Sequence, residues 1–439
     1  MRVLGTSTGG GGKSKALICN QSFGNFADKP AILRLYAMNK RTEDLIEKVK
    51  QYQLDKFQDS MPDDRKGVTV TINGKEYVAA IRRLTPQECC KLQGVPEWYD
   101  WTDISDTQIY KMNGNGWQCD TIKHCWQYLP DLGRPLNVWS LFDGMSCASI
   151  TLKELGIPVG TFISSEIDKH AIQAEKQNFP NMVQVGSVTD INVAELVKKY
   201  GVPDFLCGGS PCQSFSFSGK MKGMSTAQGE EIYTFERYLQ LKKEGFEFEG
   251  QSYLFWEFMR ILTELREYNP QLLFFLENVE MLDKWERCLS HAIGVRGVHI
   301  NSALVSAQNR RRIYWSNIRV KKVPQLSLFS NPDDPFELPD IETDIPQPED
   351  RGIVIKDIIQ KEAEGKYYLK NDTVQTLMSK IDYGKLKEYL IEPQFSIDDV
   401  LEYINTDDEY SDLPDEQRRQ LAKDAYNGEK KQLTQTYGA

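Results

Sequence analysis

The sequence predicts an α/β fold built on a parallel, doubly wound sheet. Between residues 136 and 207, short apolar runs alternate with helical patterns: strands are predicted at 136–142, 161–165 and 204–207, with helices between them. Strands that alternate with helices are typical of parallel sheets covered on both faces. Ligands of such sheets bind at the carboxyl ends of the strands. We therefore expect the functional residues directly after these strands.

Composition limits the class of protein. The 439 residues, of which 40% are hydrophobic and 26% charged, are ordinary for a globular protein of two or three domains. No apolar run approaches the ~20 residues that cross a bilayer, and residues 1–5 do not begin a signal peptide. Nine scattered cysteines without a CxxC pair, and four histidines, argue against a disulfide framework and against a metal site. We therefore expect a cytoplasmic protein without a membrane segment.

The net charge of −10 argues against a wholly basic nucleic-acid coat, although a local basic groove on an acidic body remains compatible with it. Further elements are predicted on both sides of the alternating region. Toward the N-terminus these are a polar helix at 40–60, a hairpin at 67–81, a short helix within 82–97 with a Thr85–Glu88 capping box, and a glycine-broken turn at 110–117. Toward the C-terminus they are a mobile polar loop at 219–250, a helix at 253–267, strands at 272–276 and 313–318, an acidic linker or solvated surface at 331–350, and helices in 351–439.

Cys212 follows the predicted strand 204–207 in the segment Gly208-Gly209-Ser210-Pro211-Cys212. A proline before a cysteine at a strand exit restricts the backbone and favours an outward thiol. Cysteine is an intrinsically strong nucleophile, and loop amides lower the pKa of its thiol. The alternative is that Cys212 is one buried cysteine among nine. This segment alone supports both interpretations equally.

Glu277 follows the five apolar residues of the predicted strand 272–276. Burial of a carboxylate at this place is energetically unfavourable, which indicates a functional role. A raised pKa would let Glu277 donate a proton. The alternative is a structural acid paired with an arginine. Arg310 and Arg312 precede the next strand, and their guanidinium groups suit an oxygen-rich ligand such as a pyrimidine carbonyl, although neighbouring arginines also form solvated patches.

Gly144 and Glu166 follow the first two strands of the alternating region. Gly144 lets the backbone approach a ligand, and Glu166 occupies the place where an acid accepts hydrogen bonds from ribose hydroxyls. No GxGxxG motif is present, so a nucleoside without a pyrophosphate fits better than a dinucleotide. A solvated carboxylate is the alternative for Glu166.

A thiolate, a buried acid and fixed guanidinium groups together define one chemistry. A thiolate can add to carbon 6 of a pyrimidine when an acid holds ring nitrogen 3. Carbon 5 then becomes nucleophilic and can attack an electrophilic methyl group. The residues therefore favour methyl transfer to carbon 5 of a pyrimidine.

The chain resembles the DNA (cytosine-5) methyltransferases in seven motifs. Motifs I, II, IV, VI and VIII are matched in order by Phe142-Asp143-Gly144, Glu166-Ile167, Pro211-Cys212-Gln213, Glu277-Asn278-Val279 and Gln308-x-Arg310-x-Arg312. Motifs IX and X resemble residues 83–94 and 114–116, and here they precede motif I instead of following motif VIII. The chain therefore looks circularly permuted, and its motifs resemble those of bacterial and phage enzymes.

The resemblance implies a Rossmann-like, S-adenosylmethionine-dependent methyltransferase domain at 80–320, with motifs IX and X at 80–130 and motifs I to VIII at 136–320. It also implies a smaller, irregular target recognition domain formed by 1–79 and 321–439, the latter including the acidic linker. The alternative for 351–370 is that this segment packs against the catalytic domain. Exposed loops tolerate such permutation when the chain ends lie close together. The alternative is a partner chain that completes the recognition region; otherwise we expect a monomer.

The resemblance also implies a role for each matching residue. Cys212 is the nucleophile, Glu277 engages ring nitrogen 3, Arg312 contacts the cytosine carbonyl, and Arg310 supports the site. Ser187 stands where the family has an acid for the adenine amine, and Asp190 is the candidate to replace it. The residues implied to hold S-adenosylmethionine are Phe142, Gly144, Met145, Glu166, Ile167, Val188, Pro211, Asn115 and Gly116.

The expected substrate is double-stranded DNA, methylated at a specific sequence within a restriction-modification system or by a solitary enzyme. Two alternatives remain open. One is an RNA cytosine-5 methyltransferase, and the other is a DNA-binding subunit that keeps the fold without catalysis.

Overall fold

The computed structural model describes residues 2–3, 19–20, 31–37, 44–72, 74–211, 224–323, 336–381 and 395–437. The chain divides into two compact units, one formed by Cys89–Ile353 and the other by Met1–Glu88 with Val354–Ala439. No helix in the described ranges is long and apolar enough to cross a membrane.

The described strands are β1 (Arg2–Val3), β2 (Cys19–Asn20), β3 (Ala31–Ala37), β4 (Val68–Ile72), β5 (Lys75–Arg83), β6 (Leu136–Leu141), β7 (Val159–Ser165), β8 (Val183–Gln184), β9 (Phe205–Gly209), β10 (Ser225–Thr226), β11 (Phe248–Glu249), β12 (Leu273–Val279), β13 (Val298–Asn301), β14 (Arg311–Ser316), β15 (Val320–Lys322) and β16 (Ile341–Thr343). The described helices are α1 (Leu45–Ser60), α2 (Pro86–Leu92), α3 (Asp106–Asn115), α4 (Cys119–Trp126), α5 (Cys147–Glu154), α6 (Lys169–Asn178), α7 (Val193–Tyr200), α8 (Phe235–Lys243), α9 (Phe255–Tyr268), α10 (Asp283–Ile293), α11 (Asn371–Met378), α12 (Ile397–Thr406) and α13 (Asp415–Tyr437).

The unit Cys89–Ile353 is organised around a seven-stranded sheet in the order β13-β14-β12-β9-β6-β7-β8. Strands β12, β9, β6, β7 and β8 are parallel neighbours, whereas β14 is antiparallel to both β12 and β13. The predicted α/β fold with a doubly wound, mainly parallel sheet is therefore confirmed.

Apolar residues fill both faces of this sheet, which explains why its strands appear as continuous hydrophobic runs. In β9, Phe205 and Cys207 join one core cluster and Leu206 joins another. In β12, Phe275 joins the cluster that contains Phe205, while Phe274 and Leu276 join the cluster that contains Leu206. This burial fixes the register of β9 and β12, which brings their carboxyl ends to the same edge.

Three predictions about local structure are wrong. Residues 224–250 are not one mobile loop, because α8 buries Tyr238 and Leu241 against the core that contains Trp256. Residues 336–350 are not a linker, because β16 pairs with β15 and Ile345 is buried. The glycine-broken turn at 110–117 is also wrong, because α3 continues to Asn115 before the chain turns.

The second compact unit contains a three-stranded antiparallel sheet in the order β3-β5-β4. Helix α11 places Val374 and Met378 against Ile72 and Ile81 of β4 and β5. Helices α1, α12 and α13 form a second apolar cluster that includes Val49, Val400, Ile404 and Ala422. The predicted hairpin, polar helix and helical C-terminal region are confirmed in the described residues.

Candidate active site

The carboxyl ends of β6, β7, β9 and β12 lie side by side because these strands are parallel neighbours. The predicted site residues Gly144, Glu166, Pro211 and Glu277 all lie at or near these ends. Cys212 lies outside the described residues, one position after Pro211. The order of the strands therefore places most of the predicted site residues at one edge of the sheet.

Glu277 lies in β12, opposite Gly209 of β9 and Tyr314 of β14. Its side chain is 10% exposed, and its Oε1 lies 2.8 Å from Nε of Arg312. A buried carboxylate needs such a partner, because an unpaired charge in the interior is strongly unfavourable. Glu277 is therefore paired with an arginine, as the alternative of a structural acid predicts. The pair also lies at the edge of the sheet where the active site is expected.

Gly209 leaves room for this carboxylate. A Cβ atom at Gly209 would lie 2.6 Å from Nε1 of Trp117 and 3.1 Å from Oε2 of Glu277. Both distances are shorter than ordinary van der Waals contact, so the backbone of β9 approaches the two side chains as only glycine can. Trp117 is a site residue that the sequence did not predict, although it directly follows the predicted residue Gly116.

Arg310 and Arg312 do not form a joint guanidinium patch. The strand β14 begins at Arg311, so Arg312 lies within it and pairs with Glu277. Arg310 instead donates from its two terminal nitrogens to the carbonyl oxygens of Gly114 (3.2 Å) and Gly116 (2.8 Å). The guanidinium of Arg310 therefore holds the turn after α3.

Glu166 joins two loops of the sheet edge. Its Oε2 accepts from the backbone N–H of Gly144 at 2.8 Å, and its Oε1 accepts from the N–H groups of Ile167 (2.7 Å) and Asp168 (2.8 Å). An ionised carboxylate has about four acceptor positions, so one remains for a ligand hydroxyl. Ile167 beside it is 69% exposed, so its side chain offers an apolar surface next to this carboxylate.

The loop between β6 and α5 has a strained backbone. Phe142, Gly144 and Ser146 have φ values of 58°, 61° and 61°. The left-handed region is unfavourable for residues other than glycine, and such strain is concentrated at functional sites. Met145 in this loop is 1% exposed, and its carbonyl oxygen accepts a hydrogen bond from the hydroxyl of Tyr99 at 2.8 Å.

The segment after β8 supplies the remaining predicted contacts. Val188 is buried at the start of a short 3-10 helix, Val188–Asp190, and Ser187 caps that helix by accepting from the N–H of Thr189. Thr189 in turn donates to Asp190. Ser187 and Asp190 are therefore linked through one hydroxyl, while Asn115 and Gly116 end α3 at the turn held by Arg310.

Two buried acids near this edge were missed by the sequence interpretation. Burial raises the pKa of Asp143 to about 7 and that of Glu175 to about 8; the charge of Glu166 adds to the first shift and the charge of Asp143 to the second. A signal for Glu175 was available, because Ala171, Ala174 and Glu175 have the i, i+3, i+4 spacing of one buried helix face.

Comparisons with known proteins give a family match. Residues 16–128 and 136–245, together just over half of the chain, match the family model described as C-5 cytosine-specific DNA methylase. The orphan methyltransferase M.SPRI of Bacillus phage SPR is 27% identical over 280 residues, which cover 58% of this chain and 57% of the relative. The type II methyltransferase M.NgoBV of Neisseria gonorrhoeae is 29% identical over 202 residues, or 44% of this chain and 43% of the relative.

The chain thus spans about half the length of these two relatives. Among solved structures, a DNMT2 mutant of Spodoptera frugiperda aligns with 41% of this chain and 48% of its own, at 16% identity and a TM-score of 0.29.

Proposed function

The chain belongs to the family of C-5 cytosine-specific DNA methylases, and we propose that it transfers a methyl group to carbon 5 of cytosine in double-stranded DNA. The family predicted from the sequence motifs is thereby confirmed. The observation that carries the proposed activity is the buried Glu277–Arg312 pair at the sheet edge, beside the strand that leads to Cys212.

The methyl donor would be S-adenosylmethionine, which supplies an electrophilic methyl group when bound. The site fits it in three respects: Glu166 keeps acceptor capacity for a ribose hydroxyl, Ile167 offers an exposed apolar surface, and the adjoining loop at Phe142–Ser146 has the left-handed backbone conformations that are concentrated at functional sites. The residues that would hold the donor are Phe142, Gly144, Met145, Glu166, Ile167, Val188, Pro211, Asn115 and Gly116.

For the reaction itself, the thiolate of Cys212 would add to carbon 6 of the cytosine. Glu277 would hold ring nitrogen 3, and Arg312, fixed by Glu277, would contact the cytosine carbonyl. Arg310 would support the pocket through the turn at Gly114 and Gly116. The cytosine must leave the duplex to reach these groups, at a cost of about a few kcal/mol.

The compact unit formed by both ends of the chain is the proposed target recognition domain, in keeping with a circularly permuted order of motifs. Within this unit, Arg65 donates from one terminal nitrogen to the carbonyl oxygens of Gly365, Lys366 and Tyr368. Gly67 donates its N–H to Asn371. These contacts fasten sequence-distant segments together, as a permuted domain requires. The sequence predicts that the recognition domain meets the catalytic domain at 79/80 and 320/321. The boundaries of the compact unit are at 88/89 and 353/354.

The relatives suggest a setting. M.SPRI is named an orphan methyltransferase of a phage and M.NgoBV a type II methyltransferase of a bacterium. We propose a bacterial or phage enzyme that recognises a specific DNA sequence through base edges in the major groove. It would act either alone or within a restriction-modification system.

The test is a methyl-transfer assay with two substrates. The full chain is incubated with S-adenosylmethionine and either mixed-sequence duplex DNA or transfer RNA, and the nucleosides are then analysed by mass spectrometry. 5-Methyldeoxycytidine in the DNA, absent with Glu277→Ala, is the expected result. 5-Methylcytidine in the RNA alone would support the RNA enzyme instead, and methylation of neither would support a non-catalytic subunit.

A further inference from the structure

A row of polar side chains crosses the sheet beneath the proposed cofactor site. Ser140 of β6 is opposite Ser164 of β7, and Ser164 is opposite Gln184 of β8. The two serines are 1% and 0% exposed. Buried polar groups need hydrogen-bond partners, so a row of polar side chains inside an apolar sheet indicates a hydrogen-bond network.

Gln184 is the centre of this network. Its Nε2 donates to Oε2 of Glu175 at 3.1 Å and to Oγ of Ser164 at 3.2 Å. Its Oε1 accepts from the backbone N–H groups of Gly186 at 2.8 Å and Glu166 at 3.2 Å. The side-chain amide of Gln184 thus joins α6 to the two loops that follow β7 and β8.

The orientation of this amide follows from its partners. A backbone N–H can only donate, so the amide oxygen must point toward Gly186 and Glu166. The amide nitrogen must then point toward Glu175, whose Oε2 accepts a hydrogen bond. Glu175 therefore supplies the acceptor that stabilises the orientation in which Gln184 holds both loops.

Glu175 occupies this position at an energetic cost. Its side chain is fully buried, its Oε1 has no hydrogen-bond partner, and it forms no ion pair with any cationic side chain in the described ranges. Burial, together with the charge of Asp143, raises the pKa of Glu175 to about 8. An apolar residue would avoid this cost, so packing does not explain an acid here.

We propose that Glu175 is a positioning residue that acts through Gln184 to fix the spacing between Glu166 and the segment at Gly186–Val188. This inference rests on the proposed function, in which Glu166 receives the ribose and Val188 the adenine ring of the cofactor. Gly186 has a φ of 77°, and the hydrogen bond of its N–H to Gln184 holds the turn that leads to the cap at Ser187. One amide thereby sets both ends of the nucleoside site.

The first experiment uses the cofactor-free protein. Amide hydrogen exchange at Glu166 and Gly186 is measured in the wild type, in Glu175→Leu and in Gln184→Leu. Both variants should exchange at least about tenfold faster at these two amides. Gln184→Leu removes the acceptor oxygen itself, and Glu175→Leu removes the partner that orients it. Glu175→Gln keeps an acceptor oxygen and should exchange as the wild type does. Gln173→Leu, an exposed change on the same helix, is the matched control.

The second experiment measures the Kd for S-adenosylmethionine by calorimetry with the same variants. We expect about tenfold weaker binding for Glu175→Leu and Gln184→Leu, and binding within about threefold of the wild type for Glu175→Gln and Gln173→Leu. The melting temperature of Glu175→Leu should not fall, because the variant removes a buried group with an unpartnered oxygen. A loss of affinity without a loss of stability separates positioning from a structural role.

A folded Glu175→Leu variant with wild-type exchange would overturn the inference, and so would faster exchange with wild-type affinity. A wild-type protein that does not bind S-adenosylmethionine would instead contradict the proposed function. The exchange measurement would still decide whether Glu175 orients Gln184, because that measurement needs no cofactor.

Discussion

Nε of Arg312 lies 2.8 Å from Oε1 of Glu277, and the two residues come from neighbouring antiparallel strands in which Arg312 is opposite Val279. The pair is thus diagonal across β12 and β14, on a single face of the ladder. A carboxylate held in this way has one oxygen fixed by the protein, while its other oxygen lies beside Gly209. The proposed mechanism uses that second oxygen to engage the cytosine.

Replacement of Glu277 tests this role. Glu277→Gln keeps the size of the side chain but removes its charge, its pairing with Arg312 and its capacity to hold a proton. We expect kcat to fall by about 10²–10⁴-fold, the usual contribution of a general acid or base. The Kd for S-adenosylmethionine, measured by calorimetry, should stay within about threefold of the wild type. Unchanged kcat would remove Glu277 from the chemistry.

Gly209→Ala tests the close approach of β9. The added Cβ would meet Nε1 of Trp117 at 2.6 Å and Oε2 of Glu277 at 3.1 Å, so the strand or the two side chains must move. We expect a loss of at least about tenfold in kcat/KM, since displacements of about 1 Å in an active site are costly. Gly428→Ala, where an added Cβ has nothing within 4 Å, is the control and should keep full activity.

The buried ion pair between Arg82 and Glu88 tests how the second compact unit is held together. Two guanidinium nitrogens donate to the carboxylate at 2.7 Å, both side chains are 0% exposed, and Glu88 also accepts from the N–H of Gln360. Arg82→Met leaves this carboxylate uncompensated and should lower the free energy of unfolding by about 3–5 kcal/mol, measured by urea denaturation.

The exposed pair of Lys66 and Asp63 serves as the control for that measurement, because Asp63 is 97% exposed. Lys66→Met should leave the urea midpoint unchanged. Equal midpoints for Arg82→Met and the wild type would show that the buried pair does not fasten the 354–439 segment.

The two buried acids predict how stability depends on pH. Burial raises the pKa of Asp143 to about 7 and that of Glu175 to about 8, above their ordinary values of 3.8 and 4.5. The native state therefore binds more protons than the unfolded state between those limits, so the stability that these acids contribute is lost as pH rises from about 4 to about 8. Glu175→Gln should flatten this dependence and raise the melting temperature at pH 8. A variant with the same pH profile as the wild type would contradict this assignment.

The sequence predicted the sheet because its central strands are buried on both faces. The runs around Phe205 and Phe274 are hydrophobic without alternation, and the polar residues at their ends mark the site. The Thr85–Glu88 capping box was also predictable, since it depends only on local spacing, and the structure confirms it. Local patterns thus gave the elements and most of the residues at the sheet edge.

The remaining features depend on contacts between distant parts of the chain. The acid of the Thr85–Glu88 box also binds Arg82, which local spacing did not reveal. Charged neighbours concealed that Tyr238 and Leu241 are buried in α8. The separation of Arg310 from Arg312 depends on where β14 begins, and the hydrogen bonds of Gln184 depend on the order of β6, β7 and β8. Such relationships follow from sheet topology and register, which one sequence does not specify.

The most direct test of the central claim is covalent trapping at Cys212. The full chain is incubated with S-adenosylmethionine and a mixed-sequence duplex in which 5-fluorocytosine replaces cytosine, and the products are analysed by denaturing mass spectrometry. Fluorine at carbon 5 blocks the elimination that releases the enzyme. We predict an adduct that carries one additional methyl group and maps to Cys212, and that is absent with Cys212→Ser. Bound S-adenosylmethionine without an adduct, or an adduct at another residue, would contradict the account.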